Sequence, residues 1–286
     1  MRPVAWPCAG WLDHGLPVKP EEKVLIPKAS AEFEKGSCPH RWEPSGTELN
    51  PAEKERLAYT LAAVPPDTRS TLDLGCGDGR LSNLLHRERP AFLVSLDLNL
   101  PALRGLTSIG CCASAQSLPF ADRAFDLVLA AETIEHLPQP IYAAALQEMA
   151  RVAQKYILIT VPNREDLNEN TAVCADCGAR FHIWGHQRSY RLRRLGNLFP
   201  GFRMACASAF GARVVAYNRF ILWVRRHGAG ACCWEDRTAC FACGSARRPE
   251  PRWPLLARAC DYLNNRCWGR FFQSESWLLA LFKREF

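Results

Sequence analysis

The sequence predicts an α/β fold, with a mostly parallel sheet and helices on both faces. Three observations carry this. From Ser70 onward, short apolar segments alternate with helical ones, as in strand–helix–strand units of a parallel sheet. One strand-to-helix junction holds a glycine cluster, Gly75, Gly77 and Gly79. The composition supports a sizeable core: 286 residues, 48% hydrophobic and 23% charged. That excludes a disordered or fibrous chain.

The elements follow in order. Residues 1–50 are rich in proline and turn formers and have no sustained period. Asn50-Pro51-Ala52-Glu53 opens a helix, with Asn50 as N-cap, Pro51 at the first helical position and Glu53 on the positive dipole end. Pro65-Pro66 stops it near Val64. Strands are predicted at Thr71–Leu74, Phe92–Asp97, Phe125–Ala130 and Lys155–Val161, and helices at Gly79–Arg87, Leu100–Ile109 and Gln139–Val152. Residues 163–188 read as a polar loop carrying Cys, His and Trp. Ser189 caps a predicted helix through about Phe199. Phe202–Phe210 reads as a strand and Arg213–Arg226 as a helix. A Cys-, Gly- and Arg-rich loop follows, then a helix from about Pro254 and a short strand at Trp277–Lys283.

No apolar run approaches the roughly 18 residues of a membrane helix. The start, MRPVAWPCAGWLDH, has one basic residue, and Pro3, Pro7 and Asp13 break its apolar stretch. A secretory leader is therefore not expected, and a cytoplasmic location is. In that compartment fourteen cysteines argue for metal or redox work and small buried residues rather than a disulfide framework.

The net charge of +7 is uneven. Residues 171–270 hold 17 arginines, no lysine and 5 acidic residues, a net +12 that leaves −5 elsewhere. Such a segment favours an anionic partner, with a solvated face as the alternative.

The strongest chemical signal is Asp73-Leu74-Gly75-Cys76-Gly77-Asp78-Gly79, between a strand and a helix. Glycines let the backbone turn tightly and approach a ligand, and the helix start adds N–H donors. The third glycine comes one residue too early for a dinucleotide fingerprint, and no Gly-Lys-Ser/Thr ending makes a Walker loop. The next strand ends at Asp97, 18 residues after Gly79. A carboxylate there can accept both hydroxyls of a ribose.

With these residues, Ala115-Gln116-Ser117-Leu118-Pro119-Phe120, Phe125-Asp126-Leu127-Val128 and Glu135-His136-Leu137 complete an ordered set. The set resembles the class I S-adenosylmethionine-dependent methyltransferases of the small-molecule, quinone-biosynthesis-like type. It covers residues 70–210 and, through the last strand, reaches the C-terminus. The resemblance implies a Rossmann-like class I methyltransferase fold, with a mostly parallel seven-stranded sheet and an antiparallel last strand. Residues 1–66 would be an N-terminal lid or helical segment. Residues 67–286 would be the methyltransferase domain, with Cys/Arg-rich lid insertions at about 163–188 and 227–253. It further implies S-adenosylmethionine as cofactor. Gly75, Cys76, Gly77 and Gly79 would cradle its methionine part, and Asp73 would order that loop and meet the amino group. Asp97 would hold the ribose and Leu98 pack on adenine, with Ser114, Ala115 and Gln116 along the adenine edge. Glu132 completes the expected cofactor set. The family often has Asp where Ser114 stands. An uncharged acceptor makes the weaker bond, so the departure bears on affinity.

Methyl transfer is an in-line displacement in which the protein mainly positions the acceptor. A hydroxyl acceptor also needs a base. Candidates are His136, four residues after Glu132 and so on one face of a helical turn, and His186, in a His-Gln-Arg-Ser-Tyr run. Imidazole suits the task near neutral pH. A structural role for His136 is the alternative, and Asn163 could orient a substrate. The loop after the fourth strand lacks the Asn-Pro-Pro-Tyr element of amide- and base-nitrogen methylases.

Two turns share a C-x-x-C-G pattern: Cys174-Ala175-Asp176-Cys177-Gly178 and Cys240-Phe241-Ala242-Cys243-Gly244. Together they offer four sulfurs, a complete tetrahedral zinc shell. In the family's strand order both insertions leave the same end of the sheet. Cys174, Cys177, Cys240 and Cys243 are therefore the expected ligands of one structural Zn²⁺. A shell of Cys174, Cys177, His182 and His186 competes, and Cys232-Cys233 could substitute. Redox thiols are less expected, because neither pair joins a strand to a helix.

Three function classes stand side by side. The first is a methyltransferase for a small, anionic molecule, glycan or secondary metabolite, with oxygen favoured over nitrogen. The second is an RNA methyltransferase whose arginines grip phosphate. The third is a non-catalytic partner that keeps the fold. The stripe Leu255, Leu256, Ala259, Leu263 and Phe271 is expected to cover the sheet, with contact to a membrane surface as the alternative.

Overall fold

The computed structural model describes residues 49–89, 91–235 and 238–285, and the backbone of Val24–Leu25. Its centre is an eight-stranded sheet. In chain order the strands are β1 (Val24–Leu25), β2 (Ser70–Leu74), β3 (Phe92–Asp97), β4 (Ile109–Cys112), β5 (Phe125–Ala131), β6 (Ala153–Pro162), β9 (Phe202–Val215) and β10 (Gln273–Arg284). A hairpin of β7 (Thr171–Val173) and β8 (Arg180–His182) stands apart. The order across the sheet is β1-β4-β3-β2-β5-β6-β10-β9. β10 runs antiparallel to both its neighbours, and the other pairs are parallel. The predicted seven-stranded sheet with its antiparallel last strand is thus present, extended by the two residues of β1. This is the class I methyltransferase topology. The sequence reversal at β2 and β5 places a crevice at the carboxyl ends of those strands.

The central strands are buried on both faces, and their side chains alternate between two layers. On β5, Val128 and Ala130 face one core while Leu127 and Leu129 face the other. The first core takes Leu146 and Met149 of α3 (Gln139–Val152). The second takes Leu57 of α1 (Pro51–Ala62) and Leu81 and Leu85 of α2 (Arg80–Glu88). Leu72, Leu74, Leu127 and Leu129 are 0% exposed, each contributing about 2 kcal/mol of burial. At the head of α1, Asn50 accepts from Glu53 N at 2.9 Å while Glu53 accepts from Asn50 N at 3.0 Å, a reciprocal capping box. Of the N-terminal lid expected over residues 1–66, the part before Leu49 lies outside the described residues, the backbone of β1 excepted.

Several predicted elements are corrected. Leu100–Gly105 is a short 3₁₀ turn, and Ile109 opens β4, where a helix was predicted through Ile109. Pro101 and Gly105 break the helical run, and pairing with β3 recruits the four-residue strand. The predicted loop at 163–188 contains the β7–β8 hairpin. The helix predicted after Ser189 is one 3₁₀ turn, Leu192–Arg194, cut short by Gly196 and Pro200. β9 runs to Val215 rather than Phe210, because β10 pairs with it throughout. The helix expected at 213–226 is therefore delayed to α4 (Arg219–Trp223), capped by Asn218, with π-type turns through Gly228. α5 (Pro254–Leu263) starts where expected, but its apolar stripe does not cover the sheet. Leu255 is 80% exposed and Leu263 49%, while the small residues Ala257 and Cys260 turn inward.

Candidate active site

The glycine loop joins β2 to α2. Gly75 and Gly77 both have positive φ, +72° and +53°, a region costly to other residues. A Cβ on Gly75 would stand 2.3 Å from Thr133, whereas one on Gly77 would meet nothing within 4 Å among the described residues. Gly75 is thus a packing requirement and Gly77 an open face. Gly77 N donates to Asp97 Oδ2 at 2.9 Å, and Asn99 N to Oδ1 at 2.8 Å. Asp97 therefore braces the loop as well as ending β3. Burial pushes its carboxyl up, and these N–H groups partly offset that.

Asp73 is 2% exposed and accepts from Ser82 at 2.5 Å. Ser82 continues through Ser95 to Ser108, at 2.8 and 2.6 Å. Burial raises Asp73 to about 6; the Ser82 bond opposes this and the Asp97 charge adds to it. Burial and the same carboxylates push the Cys76 thiol up, so it stays protonated. A cavity of about 210 Å³ opens between the loop and α1, lined by Glu53, Arg56, Asp73, Gly75, Cys76 and Ala131 among others. Leu98 follows Asp97, and Ser114, Ala115 and Gln116 follow β4. The Asp97–Cys112 register sets the two stretches side by side, outside that cavity's lining. Arg151 holds this second loop by donating to the carbonyls of Leu118 and Phe120, while Leu118 N donates to Glu148.

Beyond Gly75 lies a cluster of acids and imidazoles. Thr133 donates to the Leu74 carbonyl at 3.1 Å, tying the end of β5 to the loop. Glu132 sits at φ +53° and accepts from Trp277 Nε1 at 3.0 Å. Burial pushes its carboxyl up, and Arg56 and His186 draw it down. Glu135 is 0% exposed, and among the described residues no hydrogen-bond donor reaches either oxygen. Burial and the Glu132 charge push it well above the carboxylate range. The rings of His136 and His186 meet edge to face at 4.7 Å. His186 Nδ1 lies 2.6 Å from Glu165 Oε2, and His182 Nε2 3.1 Å from Oε1. Burial raises the Glu165 carboxyl, but these imidazole contacts outweigh it and hold the group down to about 2. An anionic carboxylate only accepts, so His186 Nδ1 carries the proton and Nε2 is left basic. Two donor triplets, Glu135/His136/His186 and Glu165/His182/His186, have ligand atoms within 4.8 Å of one another.

Both expected bases thus lie together. Asn163 is spent elsewhere: its Nδ2 donates to the Glu275 carbonyl, so it braces β6 against β10 rather than orienting substrate. Sequence reasoning missed Glu165 and Arg56. Glu165 lies 21 residues from His186 and only the β7–β8 hairpin returns the chain to it. Arg56 reaches the cavity because α1 docks there.

The four knuckle cysteines also converge. Cys174 Sγ lies 3.7 Å from Cys243 Sγ, and Cys177 Sγ 3.6 Å from Cys240 Sγ. All four sulfurs fall within 4.8 Å of one another. The two turns repeat one geometry. Gly178 N and Gly244 N donate to the Cys174 and Cys240 carbonyls, at φ +73° and +74°. Asp176 of the first turn joins Ser245 and Arg247 beyond the second. The spacing fits metal: sulfurs about 2.3 Å from a tetrahedral ion stand about 3.8 Å apart, whereas a disulfide needs about 2.05 Å. His182 and His186 turn to Glu165, so the mixed Cys/His shell is not assembled.

Residues 72–156 match the family profile described as "Methyltransferase domain". A Mycolicibacterium smegmatis fatty-acid O-methyltransferase is 34% identical over 142 residues, 45% of this chain and 50% of the relative. A Cereibacter sphaeroides ubiquinone biosynthesis O-methyltransferase is 28% identical over 152 residues, 45% of this chain and 61% of the relative. The chain spans about half the length of the curated relatives it matches. Among solved structures, a SAM-dependent methyltransferase from Archaeoglobus fulgidus superposes with a TM-score of 0.50 at 15% identity, covering 81% of this chain and 94% of that one. No helix among the described residues is long and apolar enough to cross a membrane. The chain carries the class I S-adenosylmethionine-dependent methyltransferase fold, with a methyltransferase-domain segment at residues 72–156.

Proposed function

We propose that this chain is an S-adenosylmethionine-dependent methyltransferase acting on a hydroxyl oxygen of a small anionic molecule, glycan or secondary metabolite. One observation carries the choice of oxygen: the His186–Glu165 pair at 2.6 Å, whose His186 acts on Glu132, the residue before the Thr133 that meets Gly75. Two relatives are named as O-methyltransferases, which supports the same choice. The arginine-rich segment supports an anionic acceptor.

The residues fit the cofactor. Asp73 is a buried carboxylate on the cavity wall with one short hydroxyl bond, and a ligand ammonium would offset its burial. Gly77 leaves open space above the loop, and both Asp97 oxygens keep a lone pair for ribose hydroxyls. Leu98, Ser114, Ala115 and Gln116 would flank the base. When bound, S-adenosylmethionine supplies the sulfonium methyl group. His186 Nε2 takes the acceptor proton, and Glu165 holds the ring and stabilises the imidazolium. Glu135, its carboxyl pushed up by burial and the Glu132 charge, stands beside His136 in the same cluster. His136 packs on the working ring and fixes its plane.

Cys174, Cys177, Cys240 and Cys243 hold a structural Zn²⁺ in this reading, staple the two insertions and create no catalytic step. The setting is cytoplasmic, where thiolates stay reduced.

The test incubates purified protein with methyl-labelled S-adenosylmethionine and a fractionated cell extract. Label in a small-molecule or glycan fraction, lost in His186→Ala, is the expected result. Label in ribonuclease-sensitive material overturns the reading for RNA. Undetectable cofactor binding at millimolar concentration overturns it for a non-catalytic partner. For the metal, wild type should hold one zinc per chain and a Cys240→Ser/Cys243→Ser variant none. Retained stoichiometric zinc excludes the four-cysteine shell.

A further inference from the structure

The two helices inserted between β9 and β10 are built inside out. On α5, Ala257 and Cys260 face inward, joined by Asn264 of the following turn. Leu255, Tyr262 and Leu263 point away, 80%, 62% and 49% exposed. On α4 and its π turns, Leu222 is buried, while Phe220, Trp223 and His227 form an outer row at i, i+3 and i+7. Their rings stack at 6.4 and 5.3 Å. Phe271, 80% exposed, extends the face at the return to β10. Nine of the fifteen exposed large hydrophobics among the described residues fall between 220 and 272. That is one patch rather than scatter. A shallow groove lined by Gly228, Trp253, Pro254, Leu255 and Leu256 lies on it.

Charge identifies the occupant. Arg219, Arg252, Arg258, Arg266 and Arg270 are exposed beside this face and form no ion pair among the described residues. Asp261, the acid of α5, is already held by Arg225 and Tyr217. Apolar and aromatic side chains exposed on a helix pair, with guanidinium groups beside them, match the acyl–headgroup boundary of an anionic bilayer.

We propose that α4 and α5 form an interfacial membrane-binding face that inserts Phe220, Trp223, Leu255, Leu263 and Phe271 and pairs its arginines with anionic lipid headgroups. β9 ends and β10 begins at the carboxyl-end rim of the sheet, where the glycine loop also lies. The face therefore sits on the rim that carries the candidate site. Arg226 ties the helix pair to the cysteine hairpin by donating to the Thr171 carbonyl at 3.0 Å. The attachment does not depend on methyl transfer.

The test is co-sedimentation of the full chain with vesicles of phosphatidylcholine alone or with about 30% phosphatidylglycerol. Binding at least about tenfold tighter to the anionic vesicles, weakening as salt rises, is expected. Trp223 and Trp253 emission should shift to the blue on binding. A Phe220→Ser/Leu255→Ser/Phe271→Ser variant should keep its circular dichroism and melting curve, because these side chains are exposed, and lose vesicle binding. Absence of binding by the wild type overturns the proposal, as does binding that the triple variant retains. A concentration-dependent doubling of mass without vesicle binding overturns it in favour of a second copy of the chain.

Discussion

The glycine-loop half of the molecule and its cysteine- and arginine-rich cap are held together by different physics. From β2 to β6, apolar residues alternate between two cores and backbone pairing fixes the register. The site there is made of loop ends whose positions the sheet dictates. Among the described residues, 163–188 and 216–272 contribute no side chain to the two sheet cores. A satellite core of Ala172, Cys174, Phe181, Ile183 and Cys240 sits beside four converging thiols, and a helix pair shows its large side chains to solvent. The first half is specified by hydrophobic periodicity. The second is specified by side-chain chemistry, with four converging thiols on one flank and exposed apolar and arginine side chains on the other. The His186–Glu165 pair belongs to the cap, and its neighbours Glu132 and Glu135 to the sheet.

The sharpest way to break this contrast is to remove the proposed metal ligands. Structural zinc sites carry apparent binding free energies on the order of 10 kcal/mol. Cys240→Ser/Cys243→Ser should expose 163–188 and 227–253 to limited proteolysis while 70–162 stays protected. Cleavage throughout the chain would show that the halves are one cooperative unit.

A second effect tests the seam. His186→Ala should lower kcat by about 10²- to 10⁴-fold with cofactor affinity unchanged, and Glu165→Gln should do so less. A His186→Ala kcat equal to that of the wild type would assign the base elsewhere.

The same division explains what was legible. Gly75, Gly77 and Gly79 could be read because positive φ demands glycine there, and Asp97 because it ends the next strand; Asp73 and Glu135-His136 were legible only through the family resemblance. The C-x-x-C-G pairs were legible because each is a complete local turn. The Glu165–His186 contact carries no local signal, because a hairpin of three-residue strands creates it. β4 was hidden because four residues show no period, and β9 was read short because its end is dictated by β10. The stripe on α5 was seen, but amphipathicity does not say which face turns inward. There the small residues do.

Within the glycine-loop half, two similar substitutions should differ. Gly75→Ala must accept a positive φ and displace Thr133, at about 3 kcal/mol. Gly77→Ala meets only the backbone penalty, about 1 kcal/mol. Thermal or urea melts of the two variants compare them directly. Equal losses would mean that the Thr133 contact relaxes freely.

Asp73 gives a smaller effect with a defined sign. Its carboxyl titrates near 6 in the fold, above the ordinary 3.8. The ionised form above 6 pairs with a ligand ammonium, so cofactor affinity should fall as pH drops through 6, by at most about tenfold per unit. The ligand-free fold behaves oppositely. A raised acid binds more protons folded than unfolded, so stability declines as pH rises from 3.8 to about 6. Calorimetric titration of cofactor at several pH values checks the first trend, and Asp73→Asn should flatten it.

The mildest change lies at the contact between α1 and the loop. Asn50 and Glu53 satisfy each other's backbone N–H, and Glu53 and Arg56 line the cavity. Asn50→Ala removes the cap and should cost α1 about 1 kcal/mol. α1 also packs on the sheet through Leu57, so the helix should fray rather than detach. Fraying loosens the cavity wall without touching Asp73 or Asp97. Cofactor Kd should therefore rise about two- to fivefold, kcat at saturation should stay the same, and melting should shift by a few degrees at most. A fall in kcat with unchanged Kd would mean that α1 positions the acceptor instead of closing over the cofactor.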